Sequence, residues 1–352
     1  MKKQIAKLLL AASIGLLPVV MHAQDNVLRC KAPDFLRKGD KVALISPAYI
    51  LPLSSVEATA GILRKWGFEP VIGPNVGKCI SIRYAGTREE RLSDILWALD
   101  DPEIKAVICN RGGYGTFQLI DGLPLKKFSA NPKWIVGFSD ITTLLDMEAC
   151  AGVMSIHGTM SIDISAAKGQ DKTSTLLRDM LSGRMPRYVL PPHPKNRYGT
   201  ATGTLVGGNL STFAPMTCCE ADATAHDGII LFIEEVDEAM HYIDRYFNML
   251  KHSGALSRCK GVVLGRFKDC EDEFNYGSVE NMLLEYLKPY GIPVLCGFPA
   301  GHGKVNLPLA IGAPVTLEVG AGGSSLRFDI EGAEQFDYAV SGNYFGKTKR
   351  KA

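Results

Sequence analysis

The stretch Ala106-Val107-Ile108-Cys109-Asn110-Arg111-Gly112-Gly113-Tyr114-Gly115-Thr116-Phe117-Gln118-Leu119-Ile120 runs a buried strand into a glycine turn and then a short apolar-periodic helix. Three glycines within four residues let the chain turn tightly and let another backbone come close. Strand, tight turn and helix start together lift one side chain above a sheet, beside free helix N–H groups. Such a turn can cradle an anion, display a nucleophile or simply close a connection, and spacing alone leaves all three open. The dinucleotide fingerprint fails because Gln118 stands at its third glycine. Gly303-Lys304, followed by Val305, lacks the upstream glycine of a phosphate-binding P-loop.

Outward from this turn, strand and helix signals alternate. Lys41–Ser46 and Trp134–Gly137 read as further short buried strands. Ser54 with Glu57 makes a candidate capping box for a helix with Val56, Ala60 and Leu63 on one face. Thr87 with Glu90 makes a second box, and Leu92, Ile95, Leu96 and Leu99 after it are the strongest helical periodicity in the chain. The alternation predicts α/β architecture with a parallel sheet covered on both faces. The pattern weakens between about 166 and 200, where a short helix (Thr173–Leu181) leads into the proline-rich run Arg187–Pro194, the best linker candidate. Beyond it the strands are more isolated: Gly203–Gly207, Ile229–Ile233, Gly261–Leu264, Val315–Val319 and Ser325–Ile330.

The 352 residues are 46% hydrophobic and 22% charged, which excludes a disordered polar chain and a polytopic membrane protein. The formal net charge of +2 is owed to the ends. Lys2, Lys3 and Lys7 lie in the first 23 residues without an acid, and Lys347, Lys349, Arg350 and Lys351 crowd the tail. The body between them is acidic, so nucleic acid is not an expected partner. Residues 1–23 read as a signal peptide: a charged start, an apolar stretch from Leu8 to Val20 and Ala23 before a cut. The stretch is short for a bilayer span and contains Pro18, so the expectation is export to the periplasm or beyond, without stable membrane insertion. Nine scattered cysteines include no CxxC pair; most read as small buried hydrophobes, with Cys259–Cys270 the pair to test for a bridge. Seven dispersed histidines without ligand spacing imply no metal, and no cofactor is expected.

Two further places offer chemistry. Ile229–Ile233 is a continuous apolar strand ending in Glu234-Glu235-Val236-Asp237-Glu238, and acids at the end of a buried strand either line a cleft or meet solvent. Pro299-Ala300-Gly301-His302-Gly303 holds His302 between glycines, the histidine least explained by core packing. His157 beside Gly158 is second, with core packing its simpler account.

Several segments in order resemble the LD-carboxypeptidases, serine peptidases that include the microcin C self-immunity peptidases. They are Gly39–Val42 with Ser46-Pro47, Ala85–Leu92, Arg111–Gly115, Gly137–Thr142 and His157-Gly158. Gly203–Leu205, Gly207–Leu210, Leu231–Glu235, Ile243–Arg245, Gly301–Gly303 and Asn306–Leu309 follow. The resemblance implies an N-terminal doubly wound, flavodoxin-like domain and a C-terminal mostly β, swivelling barrel-like domain, with the site between them. The expected division is 1–23 signal peptide, 34–165 first domain, 166–200 linker, 201–335 second domain and 336–352 tail. The implied activity is metal-free release of terminal D-alanine from murein tetrapeptides by a nucleophile-His-Glu triad, and a homodimer is suggested.

Mapped here, Glu234 is the acid, His302 the base and Thr116, just after the glycine turn, the nucleophile. Gly113 and Phe117 would give oxyanion N–H groups, with Arg111, Ser139 and Asp140 in support. Thr116 is a departure from the serine expected there. A β-branched residue suits a strained turn poorly. That keeps three readings: an active threonine, a non-catalytic murein-peptide binder, or a hydroxyl elsewhere, with Ser139 first. Hydrolysis of another amide, as in the self-immunity branch, is the further alternative.

Overall fold

The computed structural model describes residues 26–80 and 83–341. The segment read as a signal peptide and the basic cluster 347–351 lie outside the described residues.

Five strands form in the first half: β1 (Lys41–Ile45), β2 (Glu69–Ile72), β3 (Ile104–Cys109), β4 (Trp134–Gly137) and β5 (Ser155–His157). Apart from β2 at the edge they are almost wholly buried, as their runs of Val, Ile and Leu require of a sheet covered on both faces. The helix Arg88–Asp100 starts as the sequence predicts. Thr87 Oγ1 accepts the Glu90 N–H at 3.1 Å, and Glu90 Oε2 accepts the Thr87 N–H at 2.9 Å. The box expected at Ser54 does not form. That helix spans Leu53–Trp66 with Pro52 as its N-cap, so Ser54 already lies inside the first turn.

The second half supplies β6 (Arg184–Leu190), β7 (Gly199–Asn209), β8 (Ile229–Val236), β9 (Cys259–Lys268), β10 (Val294–Leu295), β11 (Leu309–Ile311), β12 (Pro314–Gly320), β13 (Gly323–Phe328) and β14 (Glu334–Ala339). The first sheet has the order β2-β1-β3-β4-β5-β11, parallel as far as β5. Its first five strands keep the doubly wound order of flavodoxin-like domains, which reverses between β1 and β3. The second sheet has the order β10-β9-β8-β7-β12-β13-β6-β14 and mixes parallel with antiparallel pairs. Among the described residues it is a mixed sheet with β10 and β14 at its edges, not closed into the expected barrel.

The two halves share structure. Strand β11 belongs to the C-terminal half yet completes the first sheet, with Leu309 opposite His157. The loop before β11 is thereby carried toward the carboxyl ends of β4 and β5. The stretch 166–200 is also more than a connection. It holds the helix Lys172–Leu181 and strand β6, and the expected tail begins inside β14. Pro186 is tolerated there because β13 pairs with β6 only over Tyr188–Leu190. Among the described residues no cysteine is disulfide-bonded, and the Cys259 thiol donates to the Ala255 carbonyl at 3.3 Å rather than bridging to Cys270.

Candidate active site

Strand β4 ends at Gly137, Phe138 is extended, and Ser139 then has φ +62° before the chain coils into the helix Thr142–Cys150. Left-handed backbone costs a residue with a Cβ about 1–2 kcal/mol and persists only where the surroundings enforce it. Here they do. A Cβ on Gly137 would come within 2.6 Å of Ile141 Cγ2, so only glycine admits this helix so close to the strand end. A strained serine between a buried strand and a helix start is the geometry of a nucleophile elbow.

The glycine turn after β3 packs directly on this elbow. A Cβ on Gly112 would lie 2.9 Å from Ser139 Cβ and 3.2 Å from Ser139 Oγ. Gly113 and Gly115 have φ +123° and +128°, and a Cβ on Gly113 would overlap the Tyr49 ring. The turn is held from below by Arg91, which the sequence reading left inside its helix. Its Nη1 donates to the Pro47 and Gly115 carbonyls at 2.7 and 2.9 Å, and its Nη2 to Gln118 Oε1 at 3.0 Å.

Thr116, expected as the nucleophile, is 0% exposed and its hydroxyl donates to the Asp140 carbonyl. Its N–H donates to the Asp140 carboxylate at 2.9 Å. Burial raises the Asp140 carboxyl, and the Thr116 N–H opposes that rise. Thr116 is therefore a strut between the glycine turn and the elbow, with its oxygen already committed. Phe117, expected as an oxyanion donor beside it, lines the neighbouring cleft. Arg111 is exposed, its guanidinium carbon 5.9 Å from the Tyr49 ring centre.

The expected acid and base, Glu234 and His302, come from the other half. Glu234 lies in β8 with 0% exposure. The β8–β9 register slips beside it, with Ile233 opposite Leu264 but Glu235 opposite Phe267. Such irregularities re-aim side chains next to active sites. Glu234 Oε2 accepts the His302 N–H at 3.1 Å and lies 2.8 Å from His302 Nδ1. Gly301, at φ +105°, has to be glycine because a Cβ there would collide with that carboxylate. With Nδ1–H donating to Glu234, His302 keeps its Nε2 lone pair free. Burial lowers the His302 pKa, but the hydrogen bond and charge of Glu234 outweigh it and hold it above 6.5. The His302 ring packs on Phe138, the residue before Ser139, with centroids 5.0 Å apart.

His157 is a core residue. Its Nε2 is 3.1 Å from Asn306 Oδ1, its ring meets Phe232 edge-on, and burial lowers its pKa to about 4. Asn306 Oδ1 also accepts the Gly301 N–H at 2.8 Å, fixing the His302 loop. A cleft of about 510 Å³ opens beside the elbow, lined by Gly113, Tyr114, Ser139, Asn209 and Glu235 among others. Burial pushes the Glu235 carboxyl up to about 6 against the pull of the Val236 N–H. Among the described residues no three His, Cys, Asp or Glu side chains gather as a metal site.

Residues 42–158 match the LD-carboxypeptidase N-terminal domain, and residues 202–317 match the LD-carboxypeptidase C-terminal domain. The chain belongs to the LD-carboxypeptidase family. It is 32% identical over 303 residues to the murein tetrapeptide carboxypeptidase of Pseudomonas aeruginosa, covering 82% of this chain and 95% of that one. The microcin C7 self-immunity protein of Escherichia coli is 26% identical over 316 residues, covering 80% and 92%. The crystal structure of muramoyltetrapeptide carboxypeptidase from Oxalobacter formigenes superposes with a TM-score of 0.72 at 28% identity, covering 82% and 99%. Family membership makes this chain a serine-type carboxypeptidase, in keeping with a serine rather than a threonine at the elbow.

Proposed function

We propose that this protein is an exported LD-carboxypeptidase that releases terminal D-alanine from murein tetrapeptides through Ser139, His302 and Glu234. The observation that carries the reading is the elbow itself: Ser139 at φ +62°, pressed by Gly112 on one side and preceded by the phenylalanine on which His302 packs. Ser139 Oγ attacks the carbonyl before the terminal D-alanine while His302 Nε2 takes its proton. Glu234 holds the imidazole in the Nδ1–H tautomer and stabilises the cation that forms. The N–H of Asp140, the residue after the nucleophile, and that of Gly113 are the oxyanion donors, each worth about 3–4 kcal/mol of barrier in sites of this kind. His302 returns the proton to the leaving amine, and water then resolves the acyl-enzyme.

A lost serine is the premise for a non-catalytic binder, and Ser139 at the strained turn speaks against it. Likeness to the Pseudomonas and Oxalobacter carboxypeptidases supports the murein substrate, and likeness to the microcin protein supports a second reading, an aminoacyl amide on a nucleotide. Incubating the protein with a muramyl tetrapeptide and an aminoacyl sulfamoyl nucleotide, with products read by mass spectrometry, separates them. D-alanine from the first substrate alone is expected; cleavage of the nucleotide amide alone overturns the murein reading. Export is supported by the charged start and apolar stretch of residues 1–23, and cell fractionation with N-terminal sequencing tests it.

A further inference from the structure

Glu235, beside Glu234, is 1% exposed and accepts from three donors. Its Oε1 accepts from Asn209 Nδ2 at 2.6 Å and from the Val236 N–H at 2.9 Å; its Oε2 accepts the Ser211 N–H at 2.7 Å. Asn209 ends β7 and is opposite Glu234 in the β7–β8 register. Its own N–H donates to Thr142 Oγ1 at 3.1 Å. Thr142 is the first residue of the helix that follows the Ser139 turn, and its N–H donates back to the Ser139 carbonyl. The approach is close enough that a Cβ on Gly208 would lie 2.6 Å from Thr142 Oγ1. A continuous line of hydrogen bonds thus runs from the elbow helix of the first half to the strand carrying the acid in the second.

A triad split between two halves of a chain needs such a brace. Ser139 is fixed by the first sheet, Glu234 and His302 by elements of the second half, and a misplacement of about 1 Å between reacting groups costs on the order of 10²-fold in rate. We propose that Glu235 is a positioning residue which, through Asn209 and Thr142, fixes the Ser139 turn against the strand that carries Glu234. The inference rests on Ser139 as the nucleophile. A carboxylate suits the task because it offers only acceptors to three converging N–H groups. Glutamine has the same shape but places an NH₂ opposite one of those donors, leaving a buried pair of donors face to face.

The test is the rate at which Ser139 is labelled by a fluorophosphonate, which reports activation of the serine without any murein peptide, alongside kcat and KM for D-alanine release. Glu235→Gln is expected to lower the labelling rate and kcat together by about tenfold or more, with KM within twofold of wild type and the melting temperature nearly kept. Thr142→Val, which cuts the far end of the line, is expected to do the same. Thr142→Ser, which keeps the acceptor oxygen, is expected to recover most of the loss. Wild-type labelling in both Glu235→Gln and Thr142→Val overturns the inference. So does a raised KM at unchanged kcat, which would make Glu235 part of a substrate wall instead. Labelling of Ser139 without release of D-alanine leaves the brace measurable and overturns the murein reading. A wild-type protein that does not label at Ser139 overturns the nucleophile and the brace together.

Discussion

Gly112→Ala perturbs the site through one methyl group whose neighbours are known. The new Cβ would stand 2.9 Å from Ser139 Cβ, 3.2 Å from Ser139 Oγ and 3.4 Å from the Phe138 carbonyl oxygen. Carbon atoms in comfortable contact are about 3.5–4.0 Å apart, so the overlap with Ser139 Cβ is at least about 0.6 Å. Gly112 is not in the left-handed region, and the substitution therefore acts through crowding rather than through φ. Relief requires the elbow and the glycine turn to separate by roughly that amount. Overpacking of this kind costs about 1–3 kcal/mol of stability. In the proposed mechanism this moves Ser139 more than about half an ångström from its base and oxyanion donors, at a cost on the order of 10²-fold in kcat/KM. Steady-state release of D-alanine, measured beside a thermal melt, reads both. Gly322→Ala, where nothing lies within 4 Å, serves as the control and is expected to match wild type. Activity of Gly112→Ala within threefold of wild type would refute the placement of Ser139 against the glycine turn.

The pH profile follows from the buried pair. In the proposed mechanism His302 must be neutral to accept a proton, and Glu234 raises its pKa above the ordinary 6.5, so kcat/KM is expected to rise along an acid limb shifted above that value. Glu234→Gln removes the charge that holds it up, and the limb is expected to move to lower pH along with a fall in rate. Thr116→Val keeps the shape but leaves the buried Asp140 carbonyl without its donor, and chemical denaturation should show a loss of about 1–3 kcal/mol. Gly61→Ala, in the middle of the helix Leu53–Trp66 with open space around it, should gain about 0.5–1 kcal/mol by the same assay.

Much of the frame was legible because it is local. The runs of Val and Ile in β3, β4 and β8 state a strand buried on both faces, and Thr87 with Glu90 states a helix start. Glu234 and His302, which the fold brings within 2.8 Å of each other, were legible as candidates for related reasons: one ends an apolar strand, the other sits between glycines. The Thr116 hydroxyl is tied to the Asp140 carbonyl while Ser139 takes the strained turn, a difference hidden in sequence because the two hydroxyls follow similar strand-turn signals. The glycines before Thr116 advertise flexibility, whereas the strain at Ser139 is imposed on a residue with a Cβ by Gly112, Gly137 and Ile141, none of which announces it in sequence. Arg91 reads as one more surface charge in Arg88-Glu89-Glu90-Arg91, and only the fold turns it under the glycine turn. Glu235 and Asn209 are 26 residues apart and meet only because β7 and β8 pair in parallel. Strand β6 was hidden by the prolines around it, since its partners come from the far end of the chain.

The proposed mechanism turns on which hydroxyl is acylated. Ser139→Ala and Thr116→Val, each incubated with a muramyl tetrapeptide and followed by D-alanine release, decide it. The structure predicts that Ser139→Ala loses activity by about 10³-fold or more at an unchanged melting temperature, while Thr116→Val, though less stable, stays within about tenfold of wild type. Activity that survives in Ser139→Ala and vanishes in a folded Thr116→Val would contradict it.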